Sequence, residues 1–210
     1  MKITKFGHAC FVVEHAGQSL VVDPGEYSID LVIPGNVSVV VVTHVHADHL
    51  SEELIRRIIE RNPSASIVGH PDVTAKLDAY TTRPVQAGDT VSLGSFNLEF
   101  FGGQHAIIAP SWPTFANLGV MINDHVYYPG DSFTIPERTV KLLALPAAAP
   151  WLKISEAMDF LQAVKPNQAF PVHDAILSNI GKDLHDRMLK TVAHSIGTVY
   201  ARIDDSPLEA

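Results

Sequence analysis

Four potential metal ligands fall within six consecutive residues, His44-Val45-His46-Ala47-Asp48-His49. His44 and His46 leave the end of an extended run two residues apart, so their side chains point the same way and can share one metal ion. Asp48 and His49 follow where the chain turns into a helix, and can face a second ion close to the first. The chain has 11 histidines, and histidine is the commonest metal ligand. A hydrolytic metal needs about three protein ligands and an open position for water, so this loop alone does not complete two sites. Three further candidates stand at the ends of β-like runs: His105 after Phe96 to Gly103, Asp131 after Val126 to Gly130, and His173 after Gln168 to Val172. In a sandwich of sheets, strand ends deliver such side chains to one rim.

The elements that must position them are short and β-rich at first. Lys2 to Phe6, Ala9 to Glu14 and Ser19 to Asp23 read as strands, and Asp23-Pro24-Gly25 stops the third. Val37 to Thr43 is almost continuously β-branched, which predicts a strand buried on both faces. It feeds directly into the histidine loop. Leu50, Leu54, Ile55, Ile58 and Ile59 then share one helical face, and Asn62-Pro63 ends that helix. A short helix is expected over Pro71 to Leu77. Strands are expected at Thr90 to Leu93, Phe96 to Phe101, Leu118 to Ile122 and His125 to Tyr128, with Asn123-Asp124 as a hairpin turn. Val140 to Leu145, Gln168 to Val172 and Ile196 to Ile203 read as strands, Ser155 to Val164 and Asp183 to Val192 as helices. The expectation is one domain over residues 1–210, of mixed α and β.

This ordered set resembles the metallo-β-lactamase superfamily. Its signature His-x-His-x-Asp-His stands at residues 44 to 49. The later ligands match in order: His105 after Gly102-Gly103, Asp131 in Tyr128-Pro129-Gly130-Asp131-Ser132, and His173 in Phe170-Pro171-Val172-His173-Asp174. The likeness looks closest to the compact branch of Zn-dependent hydrolases that includes ascorbate-phosphate lactonase-like proteins. It implies a four-layer αβ/βα sandwich, of α/β (α+β) class, with metals on one rim. It also implies one ion on His44, His46 and His105, a second on Asp48, His49 and His173, and Asp131 bridging both. Imidazole and carboxylate ligands without thiolate suit zinc and tolerate manganese or iron. Two such ions about 3.5–4 Å apart lower the pKa of a shared water from 15.7 towards about 7, giving a bridging hydroxide at neutral pH. Asp48 and Asp131 offset part of the metal charge, and Asp48 can pass a proton to the leaving group.

The pattern departs from that branch at Pro146-Ala147-Ala148-Ala149-Pro150-Trp151-Leu152-Lys153. This loop follows a strand near the rim, so Trp151 and Lys153 are candidates for substrate contact, Lys153 for an anionic group; a packed Trp and a surface Lys are the alternative. The relatives' substrate is therefore not transferred. His8 stands at the end of the first strand, where the resembled branch carries a histidine close to the metal rim; it either supports the metal ligands from behind or contacts substrate, and a buried, hydrogen-bonded histidine is the alternative. Ser111, Trp112, Phe115 and Asn117 lie in a Pro-punctuated loop expected to wall the pocket. His15, His70, His125, His185 and His194 are read as non-ligands.

Composition limits the partners. A net charge of -8 with 15 scattered Lys and Arg argues against nucleic acid, because phosphate binding needs clustered cations. No run of about 18 apolar residues is present, so no membrane span is expected. The N-terminus lacks a signal-peptide core, which makes the cytoplasm the default location. Cys10 is the only cysteine and reads as a small buried hydrophobe. The expected partner is a small-molecule substrate, and a homo-oligomer is open by analogy. The reading is a dinuclear metal hydrolase of a small ester, lactone or phosphodiester; the alternatives are a non-catalytic metal-binding or sensing protein and a redox diiron protein on the same fold.

Overall fold

The computed structural model describes residues 1–28, 30–203 and 206–209. Three strands open the chain: β1 Lys2–Phe6, β2 Cys10–His15 and β3 Gln18–Val22, each antiparallel to the next. β4 Val37–Val42, β5 Ser66–Gly69 and β6 Thr82–Pro84 then add in parallel, with helix α1 Glu52–Arg61 between β4 and β5 and α2 Pro71–Lys76 between β5 and β6. The second sheet holds β7 Thr90–Leu93, β8 Phe96–Gly102, β9 Leu118–Ile122, β10 Val126–Tyr128, β11 Leu142–Pro146 and β12 Gln168–Val172. Helix α3 Ile154–Val164 links β11 to β12, and α4 Asn179–Ser195 links β12 to β13 Val199–Tyr200. β14 Leu208–Glu209 returns to the edge of β1. The described strands form two sheets ordered β14-β1-β2-β3-β4-β5-β6 and β13-β12-β11-β10-β9-β8-β7.

Side-chain alternation builds the layers. Along β4, Val39 and Val41 join the cluster between the sheets, whereas Val40 and Val42 join the cluster under α1. Along β11, Leu142 and Ala144 face inward while Leu143 and Leu145 face α3 and α4. A strand covered on both faces must be apolar on both, which is why β4 carries almost no polar residue. The three apolar clusters are the three seams of a helix–sheet–sheet–helix stack, the four-layer sandwich expected from the sequence.

The local signals operate as chemistry requires. Ser51 caps α1 by accepting from the Leu54 amide at 3.4 Å, and Glu52 and Glu53 occupy its first turn, where an acidic charge is favoured. Asn123 and Asp124 both have positive φ, the conformation of a two-residue hairpin turn. Three expectations need correction. Ile196 to Ile203 is a strand only at Val199–Tyr200, because α4 runs on to Ser195 and Gly197 turns at φ +77°. α4 starts at Asn179, four residues earlier than read, with Ser178 as its cap. β5 and β6 were not anticipated; both are short, and they are ordered by parallel pairing across β4 to β6. Among the described residues, no helix is long and apolar enough to cross a membrane.

The packing makes a contrast in stability measurable. Phe11 is fully buried between the sheets and meets Tyr128 and Phe170 edge-on, so Phe11→Ala is expected to cost about 3–5 kcal/mol in chemical denaturation. Arg56→Ala, which removes only exposed ion pairs to Glu53 and Glu60, is expected to leave the midpoint nearly unchanged.

Candidate metal centre

β4 ends at Val42, and the next nine residues form a tight loop before α1. His49 and Leu50 both donate their amides to the His46 carbonyl, at 3.0 and 2.9 Å. The Asp23–Glu26 segment lies directly against this loop. Glu26 donates to Ala47 O and Ser51 to Pro24 O. A Cβ on Gly25 would meet Asp48 O at 1.8 Å, so only glycine fits there. Asp23 itself is buried at the end of β3. Its carboxylate accepts from the Thr43 amide (2.8 Å), the Thr43 hydroxyl (2.7 Å) and His49 Nδ1 (2.7 Å).

The second sheet delivers the distant residues to the same rim. His105 follows β8 and donates its amide to Phe115 O, while Ala106 donates to Asp131 O. Asp131 follows β10, and its amide is held by Asn117 Oδ1 at 2.9 Å. Asn117 is fully buried and also donates to Pro129 O; it braces the Asp131 loop rather than walling a pocket. His173 ends β12 at φ +61°, a conformation that costs energy for a residue with a Cβ. It is held by its amide on His8 O (2.9 Å) and its Nδ1 on Ala148 O (2.7 Å).

Ligand-type atoms converge here in overlapping groups. His44, His46, His105 and Asp131 form one, His49, Asp131 and His173 another, and His8, Asp48 and His173 a third, each with its atoms within 4.8 Å of one another. Asp131 belongs to the first two. Asp48 Oδ2 lies 3.3 Å from His173 Nε2 and 3.7 Å from His49 Nε2. Asp131 lies 3.2 Å from His49 Nε2 through Oδ1, and 3.1 and 3.3 Å from His173 and His105 Nε2 through Oδ2.

Ring protonation decides whether these atoms can bind a cation. His49 gives its Nδ1 proton to Asp23, His105 to Ala106 O at 2.5 Å, and His173 to Ala148 O. The Thr43 hydroxyl spends its own proton on Asp23, so it can only accept from His44 Nδ1 at 3.0 Å. Each of these rings, once neutral, therefore turns an Nε2 lone pair inward. Among the described residues, Nε2 of His49, His105 and His173 and Oδ1 of Asp131 are buried without a hydrogen-bond partner, and His44 Nε2 and His46 Nδ1 face each other at 3.1 Å. Burying such atoms unsatisfied is costly, and a divalent cation satisfies them. The donor set fits a metal.

The electrostatics agree. Burial pushes the His44 and His46 rings down, so both stay neutral. Burial opposes charge on Asp131, yet His49 and His173 outweigh it and hold the carboxyl well below its usual range; Asp48 is likewise held down against burial by the His173 and His8 rings beside it. Burial also opposes charge on His49 and His173, but the facing carboxylates raise both, His173 to about 9. The carboxylates thus draw positive charge to the place a cation would take.

The remaining sequence candidates fall differently. Trp151 is half-buried and donates its indole N–H to Asp131 Oδ2 at 2.7 Å, so its polar atom grips a carboxylate of the centre. Lys153 is exposed at the N-terminus of α3, its amide on Glu156 Oε2, and the structure does not bring its ammonium to the centre. Phe115 packs edge-on against His46 at 4.7 Å, whereas Trp112 and Ser111 point outward. His15, His70, His125, His185 and His194 belong to none of the three groups. Sequence reasoning missed Asp23, taken only as the end of a strand. A carboxylate closing an apolar run just before Pro-Gly was the available signal.

Comparisons with known proteins follow the same lines. Residues 2–173 match a family model described as β-lactamase superfamily domain. The chain is 37% identical to protein Rv0786c of Mycobacterium tuberculosis over 183 residues, covering 85% of this chain and 86% of that one. It is 25% identical to a UPF0173 metal-dependent hydrolase of Methanocaldococcus jannaschii, covering 99% of each. Its fold is similar to that of Igni18, a metallo hydrolase from Ignicoccus hospitalis, with a TM-score of 0.75 at 18% identity, covering 100% of this chain and 98% of that one.

Two outcomes follow from this geometry. Protons on His49 and His173 must leave before a metal binds, and below about pH 9 His173 carries one. Metal affinity is therefore expected to rise with pH up to about 9, by about tenfold per unit for each displaced proton, with proton release seen by calorimetry in buffers of different ionisation enthalpy. An affinity flat across that range would contradict it. Separately, Asp23→Asn replaces an acceptor oxygen with a donor and is expected to weaken metal binding about 10–100-fold in competition with a chelator.

Proposed function

Since the chain belongs to the β-lactamase superfamily domain family, we propose that it is a metal-dependent hydrolase that works with two divalent ions, zinc foremost, on a small ester, lactone or phosphodiester. What carries the reading is the ring of inward lone pairs: buried, unpartnered nitrogens and a carboxylate oxygen, each fixed from behind by an outer hydrogen bond. Hydrolase relatives in Methanocaldococcus and Ignicoccus support the class of chemistry.

His44, His46 and His105 would hold one ion, Asp48, His49 and His173 the other, with Asp131 shared. The absence of thiolate among them suits zinc and tolerates manganese or iron. Bound there, divalent ions supply Lewis acidity, which lowers the pKa of a water and polarises a carbonyl or phosphoryl oxygen.

The protein's own residues supply the rest. The side chain of Asp48 is 24% exposed against 3% for Asp131, so Asp48 is the carboxylate that reaches substrate. At that place it can take a proton from the attacking water and return it to the leaving group. Asp131, buried and gripped by Trp151, holds its charge in place and neutralises cation charge. Phe115 against His46 and the half-buried Trp151 place apolar surface beside the centre, which lowers the local polarity and strengthens the local field.

Metal analysis is expected to find about two ions per chain, and a panel of esters, lactones and phosphodiesters to find turnover that chelation abolishes and added metal restores. His46→Ala and Asp131→Ala are each expected to lower kcat/KM by about 10²–10⁴-fold. Full metal loading with silence across the panel would instead identify a metal-binding or sensing protein. Iron with a characteristic absorbance and no zinc would identify a redox centre.

A further inference from the structure

His8 lies at the rim and differs from the histidines around it in one respect. His44, His49, His105 and His173 each direct Nδ1 outward to an acceptor. His8 Nδ1 instead faces a donor, the Ala175 backbone amide, at 3.1 Å. An amide N–H only donates, so His8 Nδ1 must offer a lone pair. A ring with a lone pair on Nδ1 is neutral or deprotonated, and the neutral imidazole carries its single proton on Nε2. That Nε2 is buried, makes no other hydrogen bond among the described residues, and sits 3.4 Å from Asp48 Oδ2.

Resting on the two-ion reading above, we infer that His8 is a positioning residue and not a metal ligand: its Nε2–H donates to Asp48 Oδ2 and holds that carboxylate toward His173. Distance alone would count His8, Asp48 and His173 as a ligand triad, since their atoms cluster within 4.8 Å. A protonated nitrogen has no lone pair for a metal, so chemistry removes His8 from the triad. Asp48 is the carboxylate that needs an outer hold. Asp131 already has Trp151 on Oδ2 and lies buried, while the Asp48 side chain is partly open to solvent.

The fold fixes the His8 ring in this role. His8 O accepts the His173 amide at 2.9 Å, and the two rings lie 3.9 Å apart. Tyr27 meets the ring edge-on at 5.4 Å. Gly7 makes that cover feasible: it has φ +63°, and a Cβ there would strike Tyr27 O at 2.0 Å. Gly7-His8 thus works as a pair, one residue admitting the covering segment and the other using the space beneath it.

The test reads the tautomer directly. In protein labelled with ¹⁵N-histidine, long-range ¹H–¹⁵N spectra are expected to show His8 as the Nε2–H form, both metal-free and loaded with ¹¹³Cd²⁺. No ¹¹³Cd–¹⁵N coupling is expected at His8, whereas couplings are expected at the ligand histidines. His8→Gln, which keeps an N–H near the Nε2 position, is expected to hold cadmium within about threefold of the native chain. His8→Leu is expected to weaken one of the two ions by about 10–100-fold with the stoichiometry at saturation unchanged. An Nδ1–H form, a cadmium coupling at His8, or a His8→Gln affinity as poor as that of His8→Leu overturns the inference. The tautomer is read on the native sequence and without metal, so absence of cadmium binding would count against the two-ion reading alone.

Discussion

One buried carboxylate organises the rim. Asp23 sits at the end of β3 and accepts three hydrogen bonds, from both donors of Thr43 and from His49. A carboxylate taken out of water is expensive unless its lone pairs are met, and here they are met by the groups the centre needs fixed. Thr43 terminates β4 and its hydroxyl, polarised by Asp23, accepts from His44. Asp23 therefore sets the ring of His49 directly and that of His44 through one hydroxyl. Removing it would free two rings of the candidate centre at once.

That anchor works only because the two sheets are locked together at the same end. Leu118 at the start of β9 donates to Thr43 O, joining the second sheet to the end of β4. One residue earlier, Asn117 holds the Asp131 amide and Pro129 O. Gly130, at φ +62°, approaches so closely that a Cβ would lie 2.2 Å from Asn117 Oδ1 and 3.0 Å from the Thr43 Cβ. The contact requires glycine, and it brings Asp131 over the histidines from the opposite sheet. The close-packed seam of Val39, Val41, Val120 and Tyr128 beneath cannot shift without moving the residues of the candidate centre, since packed interiors transmit displacement and do not absorb it.

The sequence revealed what depends on period and spacing. β1, β7, β9 and β12 fall at their expected residues because each is an apolar or alternating run bounded by turn formers. The histidine loop and its three distant partners were legible because ligand types at strand ends are rare by chance. β5, β6 and the true limit of β13 were not legible. Ser66–Gly69 is only four residues, β6 contains Pro84, and all three are fixed by parallel neighbours far along the chain. Second-layer roles were also hidden. Nothing in the spacing says that Trp151 would turn its N–H to Asp131, or that Asp23 would fold back onto His49, because both contacts cross between segments that only the packed sandwich brings together.

Those second-layer contacts make the two halves of the centre unequal. His44, His46 and His105 bring no charge of their own, and their recorded backing is a hydroxyl and a carbonyl. On the other side, His49 is backed by a carboxylate, and Asp48 contributes a second negative charge close to His173. A carboxylate behind an imidazole raises its basicity as a ligand, and an anionic ligand attracts a cation more strongly than a neutral one. On the two-ion reading, the side with Asp48 and His49 therefore neutralises more of its cation's charge, and the three-histidine side leaves its cation the stronger Lewis acid. On the same reading Asp131 would not even out this difference, because the Trp151 N–H already occupies part of its Oδ2. On that reading the asymmetry would give the centre a direction: electrophilic activation would belong to the histidine side, and proton handling to the side where Asp48 meets solvent.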